Sequence, residues 1–209
     1  MHIAIAGNIG SGKTTLTKML ARHYGYSALF ESTEGNPYLI SFYEDMRRWS
    51  FNLQIYFLYQ RFKQLLDIKQ SETDVVQDRT LYEDAYIFAP NLHTMGLLNS
   101  RDYDTYLHLF ELLCSFVRPP DMLIYLRGEV PTLVKQIQKR GREYENTIRL
   151  DYLSSLNERY EEWTQKYDLG KMLVVDIEKY NFADKPADLG CVIDMIDAEF
   201  NGLFDQAEG

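Results

Sequence analysis

Eight residues near the start of the chain, Gly7 to Thr14, fit the pattern G-x-x-x-x-G-K-[ST]. The glycines of this pattern let the backbone curl so that its N–H groups point at phosphate oxygens. Lys13 would add a mobile positive charge for the outer phosphates, and the Thr14 hydroxyl is placed to bind magnesium. A plain glycine-rich turn is the alternative, but the apolar run before the loop and the amphipathic stretch after it favour a nucleoside triphosphate site. The residues assigned to this site are Gly7, Asn8, Ile9, Gly10, Ser11, Gly12, Lys13, Thr14 and Thr15.

Charged side chains follow two other predicted strands. Glu31 comes directly after the strand predicted for residues 26–30, and Asp78 and Arg79 end a short apolar run in residues 74–80. In a parallel sheet, the ligand crevice lies outside the carboxyl ends of the strands. We therefore expect these three side chains to lie at the same edge of the sheet as the phosphate loop.

A long helix predicted for residues 50–69 carries two polar side chains, Gln54 and Arg61, on its apolar side. They lie two turns apart in the middle of that side. An unpaired amide or guanidinium group buried there would cost several kcal/mol. Their partners are either other protein groups, as in a structural ion pair, or a polar ligand, and the sequence leaves both open.

A group of basic residues ends the helix predicted for residues 132–141. The basic residues are Lys135, Lys139, Arg140 and Arg142, and the acidic residues Glu143 and Glu145 follow them. Basic residues that flank a glycine suit a mobile flap over phosphates, whereas a solvated helix face gives the same pattern. The pattern alone leaves both interpretations open.

These side chains need a scaffold in which strands and helices alternate. Strands are predicted at 2–6, 26–30, 74–80, 122–126 and 172–177, with helices between them. This alternation after a phosphate loop predicts an α/β fold in which a five-stranded parallel sheet is flanked by helices on both faces. The helix at 102–117 is rich in Leu, Tyr and Phe, which indicates a core position by default and leaves a subunit interface open.

The composition restricts the partners of the chain. We expect one domain, 1–209, and the formal net charge of −9 argues against a nucleic-acid backbone as the main partner. No run of about 18 apolar residues occurs, so no membrane span is expected, and the chain opens into its first strand without room for a signal peptide. Cys114 and Cys191 lack metal-ligand spacing and are expected to be reduced, partly buried thiols of a cytoplasmic protein.

The order of the motifs is itself informative. They are Gly7 to Thr14, Glu31, Asn36-Pro37-Tyr38, Tyr43, Gln54, Arg61, Asp78-Arg79-Thr80 and Arg140 to Glu145. This ordered set resembles the deoxynucleoside kinases and is most similar to the bacterial deoxyadenosine kinases, which often also use deoxycytidine. The resemblance runs from Ile3 to about Ile177, and its spacings are far more specific than the phosphate loop alone.

The resemblance implies a P-loop kinase fold and an activity. The γ-phosphoryl group of ATP would pass to the 5′-hydroxyl of a deoxynucleoside, with deoxyadenosine favoured, giving dAMP and ADP in nucleotide salvage. Glu31 would take the proton from the 5′-hydroxyl, Arg79 would steer Glu31 and the 5′ oxygen, and Lys13 would neutralise charge. ATP and Mg²⁺ are the implied cofactors, with Thr14 and Asp78 on the magnesium side, and the family is usually a homodimer.

The same resemblance assigns the contacts with the nucleoside substrate. Gln54, Arg61 and Asp84 match positions that read the edge of the base. Tyr43 and Glu145 match positions that bind the 3′-hydroxyl of the sugar. Asp78 and Arg79, with Glu31, complete the implied substrate site.

A lid over the triphosphate is also implied, at about residues 139–147, with Arg140 and Arg142 as the clamping groups. The chain departs from the family pattern at three positions: Ser32, where many relatives have Pro, Thr80, which replaces Ser, and Ala85, where animal relatives carry Arg. The departure at Ala85 leaves the base preference open, because it follows the base-reading Asp84.

Two other functions fit the phosphate loop. A nucleoside monophosphate kinase of the thymidylate kinase type shares the fold and an Asp-Arg pair, but Glu31 would set a negative group against its acceptor phosphate. A non-catalytic nucleotide-binding subunit would be expected to lose Lys13, Glu31 or Arg79, and all three are present. From the donors and acceptors of Gln54 and Asp84, we expect deoxyadenosine to be the best substrate, deoxycytidine or deoxyguanosine weaker, and thymidine nearly inert.

Overall fold

The computed structural model describes residues 1–31 and 35–201, without the side chains of Asn146 and Asn201. Ser32, one of the three departures from the family pattern, lies outside the described residues. No helix among those described is both long enough and apolar enough to cross a membrane.

Five parallel strands form one sheet in the order β2-β3-β1-β4-β5. The strands are β1 (His2–Gly7), β2 (Ser27–Leu29), β3 (Val75–Asp78), β4 (Met122–Arg127) and β5 (Lys171–Asp176). The central strands β1, β3 and β4 are almost wholly buried, as expected for strands covered on both faces. The predicted five-stranded parallel α/β fold is confirmed.

Helices cover both faces of this sheet. They are α1 (Lys13–Tyr24), α2 (Leu39–Glu44), α3 (Met46–Gln70), α4 (Leu81–Glu83), a π-helix (Asp84–Phe88), α5 (Ala89–Thr94), α6 (Ser100–Cys114), α7 (Val130–Arg140), a 3₁₀-helix (Glu143–Thr147), α8 (Leu150–Gln165) and α9 (Pro186–Asn201). One core joins α1 and α9 to Ile3 and Ile5 of β1 and to β4. A larger core lies on the other face of the sheet and joins α3, α6 and α8.

The structure differs from the predicted helices at three places. Helix α3 begins four residues before the predicted position 50, because the Asp45 side chain caps it by accepting a hydrogen bond from the Arg48 N–H. Between the strand at 74–80 and the helix at 102–117, the helical segment that begins at Leu81 is interrupted at Asp84 by the π-helix, which hydrophobic periodicity did not reveal. The segment 102–117 is predicted by default to lie in the core, but this is wrong for its outward side, because Leu112 and Phe116 are more than half exposed.

The two cysteines also differ from one another. Both thiols are free, as expected, and Cys114 is half-buried. Cys191 is exposed, so its predicted partial burial is wrong. It lies on α9, whose buried positions are taken by Val192 and Ile196.

Candidate active site

A cleft of about 520 Å³ opens beside the phosphate loop. It brings together fourteen of the predicted site residues: Ile9, Gly10, Gly12, Lys13, Thr14, Thr15, Glu31, Tyr43, Gln54, Arg79, Asp84, Arg140, Arg142 and Glu145. Five others, Gly7, Asn8, Ser11, Arg61 and Asp78, do not line the cleft and are buried. The sequence therefore predicted which residues surround the cleft. The structure adds that fourteen of them line it and that five are buried behind the lining.

The phosphate loop requires glycine at Gly7 and Gly10 for reasons of packing as well as conformation. A Cβ at Gly7 would lie 2.6 Å from Ser11 Oγ and 2.9 Å from the Leu126 carbonyl oxygen. At Gly10 it would lie 2.7 Å from the Leu133 carbonyl oxygen, and φ is +87°. Glycine is thus required at these two positions because a Cβ would collide with protein groups behind the loop, in addition to any space that a phosphate would need.

Lys13 is buried within this loop, 7% exposed. Its Nζ donates hydrogen bonds of 2.8 Å to the Gly7 carbonyl oxygen and 2.9 Å to the Asn8 carbonyl oxygen. Burial, reinforced by the nearby charge of Arg79, lowers the pKa of Lys13 to about 7, although Asp78, Glu83 and Glu31 act in the opposite direction. Lys13 is therefore poised to gain charge when an anion enters the cleft.

Asn8 anchors the loop to α8 and does not face the cleft. Its Nδ2 donates hydrogen bonds of 3.1 Å to the Leu153 carbonyl oxygen and to Asn157 Oδ1. Its Oδ1 accepts a hydrogen bond from the Ile9 N–H. The Asn8 side chain accordingly holds the loop against α8.

Glu31 lies between two guanidinium groups at the end of β2. Nη2 of Arg61 donates a 2.7 Å hydrogen bond to Glu31 Oε1, and Nε of Arg79 is 3.3 Å from the same oxygen. Burial raises the pKa of Glu31, but the charges of Arg79, Arg61 and Lys13 outweigh it and hold the pKa at about 2. Its side chain remains 21% exposed, so an ionised carboxylate borders the cleft.

Arg79 has a backbone φ of +70° and is the only non-glycine residue with a positive φ in the described part of the chain. This region is costly for a residue with a Cβ, so the conformation must be held by its surroundings. Nη1 donates a 3.0 Å hydrogen bond to the Tyr160 hydroxyl and lies 3.6 Å from Glu83 Oε1. The guanidinium group also stacks over the Phe88 ring, 4.5 Å from its centroid.

Three of the residues around Arg79 were missed by sequence reasoning: Glu83, Phe88 and Tyr160. Glu83 had a detectable signal, because Thr80 and Glu83 have the S/T-x-x-E spacing of a capping box. The structure forms that capping box. Phe88 and Tyr160 had none, since an apolar ring on a helix is most simply interpreted as core.

Of the three predicted base-reading residues, Gln54 and Asp84 line the cleft, and Arg61 contacts Asp84 from outside that lining. Arg61 Nε lies 3.5 Å from Asp84 Oδ2, and both residues are almost fully buried. Gln54 Oε1 and Asp84 Oδ2 are buried without a hydrogen-bond partner in the described part of the chain. Burial raises the pKa of Asp84 to about 7 against the lowering effect of Arg61 and Arg79. Arg61 thus has ion-pair partners in Glu31 and Asp84, while Gln54 Oε1 and Asp84 Oδ2 accept no hydrogen bond from the described residues and could accept one from a polar ligand.

The predicted lid arginines contact the predicted sugar-binding carboxylate. Arg140 donates hydrogen bonds to both carboxylate oxygens of Glu145, at 3.0 Å and 2.5 Å, and Arg142 Nη1 lies 3.5 Å from Glu145 Oε1. The ring of Tyr43 stacks on Tyr144, with centroids 5.7 Å apart. All five of these residues line the cleft, and the two arginines are paired with Glu145.

Thr14 and Asp78 provide oxygen atoms beside the phosphate loop. Thr14 Oγ1 donates a 2.5 Å hydrogen bond to Asp78 Oδ2, and Asp78 Oδ1 is buried without a partner in the described residues. Burial raises the pKa of Asp78. No group of three His, Cys, Asp or Glu side chains among the described residues could hold a metal alone. The pair fits Mg²⁺, which commonly binds one or two protein oxygens together with phosphates and water.

The family model described as "Deoxynucleoside kinase" matches residues 3–200 of this chain. The chain therefore belongs to the deoxynucleoside kinase family, as the ordered motifs indicated. It is 39% identical over 196 residues to the deoxyadenosine/deoxycytidine kinase of Bacillus subtilis, a match that covers 93% of this chain and 90% of that protein. It is 40% identical over 203 residues to the deoxyadenosine kinase of Dictyostelium discoideum, covering 97% and 80%.

A solved structure extends this similarity to three dimensions. The deoxyadenosine kinase of M. mycoides with bound dATP superposes with a TM-score of 0.83 at 33% identity. The match covers 94% of this chain and 100% of that chain. Fold and family are thus consistent along almost the entire described chain.

Proposed function

We propose that this chain transfers the γ-phosphoryl group of ATP to the 5′-hydroxyl of a deoxynucleoside, with deoxyadenosine as the preferred acceptor. The products are dAMP and ADP, which places the reaction in nucleotide salvage. The observation that carries the proposal is an ionised carboxylate, Glu31, that borders the same cleft as a phosphate loop and is held by Arg61 and Arg79.

Glu31 accepts the hydrogen bond of the 5′-hydroxyl and takes its proton as the bond to phosphorus forms. A carboxylate with a pKa of about 2 is a weak base, so the proton is transferred late, when the 5′ oxygen has lost electron density. Arg79 fixes the carboxylate through its 3.3 Å contact. The protein otherwise acts by positioning the two reactants in line and by neutralising charge.

The phosphate groups of ATP lie against the loop from Gly7 to Thr15. Lys13 supplies positive charge to the outer phosphates, and its depressed pKa lets the incoming phosphates draw a proton onto it. Arg140 and Arg142 close over the phosphates as a lid, spanning about residues 139–147. Thr14 and Asp78 would hold Mg²⁺, which when bound neutralises charge on the transferred group.

The deoxynucleoside occupies the other end of the cleft. The amide of Gln54 offers both a donor and an acceptor to the base edge, and Asp84, held by Arg61, accepts from an exocyclic amine. Adenine and cytosine present an amine beside an acceptor nitrogen, whereas thymine presents a carbonyl to the carboxylate. Tyr43 and Glu145 bind the 3′-hydroxyl: both line the cleft, Glu145 from within the lid segment and Tyr43 stacked on Tyr144 of the same segment.

The molecule works as a single kinase domain over residues 1–209 and as a homodimer. The side chains of Tyr59 on α3, of Leu112 in the last turn of α6 and of Phe116 just after α6 are 56%, 57% and 54% exposed, and α3 packs against α6. Exposed apolar groups on adjacent helices suit a second copy of the chain. The two free thiols suit the reducing cytoplasm, where ATP and deoxynucleosides are also present.

A thymidylate-type monophosphate kinase is not favoured, because Glu31 would repel the acceptor phosphate. The test is a panel of the four deoxynucleosides and their 5′-monophosphates, each assayed with ATP and Mg²⁺. Phosphorylation of deoxynucleosides and not of monophosphates is the expected result. Phosphorylation of the monophosphates alone, or of no acceptor, would refute the proposal.

A further inference from the structure

Glu83 is a carboxylate with no exposed surface that lies between the phosphate loop and Arg79. Glu83 is the last residue of the one-turn helix α4, and this helix follows directly after the segment Asp78-Arg79-Thr80. Oε1 accepts hydrogen bonds from the Gly7 N–H at 3.1 Å and from the Tyr160 hydroxyl at 2.8 Å. Oε2 accepts hydrogen bonds from the Thr80 N–H at 2.7 Å and from the Thr80 hydroxyl at 3.2 Å.

A capping box accounts for only one of these two oxygens. In such a box the N3 side chain accepts from the N-cap backbone N–H, as Oε2 does from Thr80, and either Glu or Gln can fill the position. The contacts of Oε1 with Gly7 and Tyr160 lie outside the box. A neutral amide could keep the cap, but it could not accept at both ends. The charge and the second oxygen therefore need another explanation.

The contacts of Oε1 join two parts of the site that act on different substrates. Gly7 is the first glycine of the phosphate loop, and its carbonyl oxygen accepts from Lys13 Nζ. On the other side, Oε1 lies 3.6 Å from Arg79 Nη1, and Tyr160 donates to Oε1 while accepting from Arg79. Arg79 in turn contacts Glu31 at 3.3 Å. One buried carboxylate thus fixes both the entry of the loop and the residue that orients Glu31.

We infer that Glu83 is a positioning residue that holds the ATP-binding loop and Arg79 in a fixed mutual arrangement. This inference rests on the proposed function. Glu83 touches neither substrate, and it acts through the Gly7 N–H and the Arg79 guanidinium group. Its loss displaces the phosphate loop relative to Glu31, so it weakens ATP binding and turnover while leaving the base-reading end of the cleft intact.

The test compares Glu83→Gln with Thr80→Val. Glu83→Gln keeps the size and the cap but turns an amide N–H₂ toward donors, whereas Thr80→Val removes the capping hydroxyl and leaves Oε1 in place. For Glu83→Gln we expect kcat/KM for ATP to fall about 10²-fold, with the dissociation constant of deoxyadenosine changed less than about threefold. For Thr80→Val we expect a lower Tm with ATP constants within about threefold of wild type.

The same pair of variants can overturn the inference. A folded Glu83→Gln that binds a non-hydrolysable ATP analogue as tightly as wild type would refute it, and so would an equal loss in Thr80→Val. If Glu83→Gln does not fold, Tyr160→Phe provides the test, because it removes one hydrogen-bond donor to Oε1. For Tyr160→Phe we expect kcat/KM for ATP to fall about tenfold. An unchanged kcat/KM for ATP would refute the role of Glu83. Wild-type inactivity toward all deoxynucleosides would instead refute the proposed function, since analogue binding tests Glu83 separately.

Discussion

Arg61 donates a hydrogen bond of 2.7 Å from Nη2 to Oε1 of Glu31. The same guanidinium group lies 3.5 Å from Asp84 through Nε. The group proposed to take the proton and the group proposed to read the base are therefore bound to one cation. A base that pulls Asp84 away from Arg61 also changes the field at Glu31, so recognition and chemistry are electrostatically linked.

Glu31→Gln should lower turnover by about 10²-fold or more while ATP binding persists. The substitution keeps the size of the side chain but removes the proton acceptor. Single-turnover kinetics and titration with an ATP analogue measure the two effects separately. Turnover within about threefold of wild type would exclude Glu31 as the base.

ATP affinity should fall as the pH rises above 7. The pKa of Lys13 in the free protein is about 7, lowered first by burial and then by Arg79, so the side chain loses its charge through that range. Bound phosphates favour the charged form, and binding at higher pH therefore requires proton uptake, which weakens affinity by up to about tenfold per pH unit. Calorimetric titration in buffers of different ionisation enthalpy measures this uptake.

Lys13→Met is the control for that titration. It should bind ATP more weakly than wild type, and the part of the pH dependence that belongs to Lys13 should disappear. Identical pH profiles for the two proteins would show that Lys13 is not the titrating group, and unchanged affinity would contradict its assignment to the phosphates.

Asp84→Asn should narrow the ranking of the four deoxynucleosides. An aspartate paired with Arg61 faces the thymine carbonyl unfavourably, and such a mismatch can reject a substrate by up to ~10⁴-fold. An asparagine amide can donate to that carbonyl, so thymidine should gain relative to deoxyadenosine. The measurement is kcat/KM for each nucleoside, with Glu31→Gln as the control that lowers all four alike. Thymidine as the best wild-type substrate would contradict the assignment of Gln54, Arg61 and Asp84.

The lid segment, residues 139–147, should exchange its amide hydrogens more slowly when both substrate sites are filled. Arg140 and Arg142 are paired with Glu145, and a triphosphate would offer them a stronger anion. Hydrogen exchange with and without a bisubstrate analogue measures the change. Exchange that is the same in both states would count against a lid.

Leu112→Glu should shift the protein from dimer to monomer without lowering its Tm by more than a few degrees. Leu112 is 57% exposed, so a charge there costs little in the monomer but is unfavourable in an apolar interface. Light scattering after size-exclusion chromatography gives the mass. A wild-type monomer at micromolar concentration would contradict the proposed homodimer.

Much of the fold could be predicted because its signals are local. The apolar runs of β1 and β4 and the glycines of the phosphate loop specify strand, turn and helix from neighbouring residues. The burial of Gln54 and Arg61 could likewise be predicted from helical periodicity, and both are at most 2% exposed. The roles of these residues in binding remain predictions.

The groups that hold the site could not be predicted in the same way. Glu83 and Tyr160 are 77 residues apart in the chain and are joined by a hydrogen bond. This contact depends on how α8 packs against the π-helix. The left-handed φ of Arg79 occurs with a 3.0 Å hydrogen bond to Tyr160 and a 3.6 Å ion pair with Glu83, and arginine has no preference of its own for that conformation. The periodicity of a single helix or strand gives no information on such contacts between distant parts of the chain.

The π-helix at Asp84–Phe88 limits how the base preference of this enzyme can change over evolutionary time. A π turn contains one residue more than an α turn, and deleting that residue would rotate everything before it by about 100° relative to α5. Asp84 and Arg79 would then leave the cleft, and Glu83 would lose its contacts with the Gly7 N–H and the Tyr160 hydroxyl. New specificities should therefore arise by exchanging residues at Asp84 and Ala85, and functional relatives should keep a constant chain length between Arg79 and Pro90.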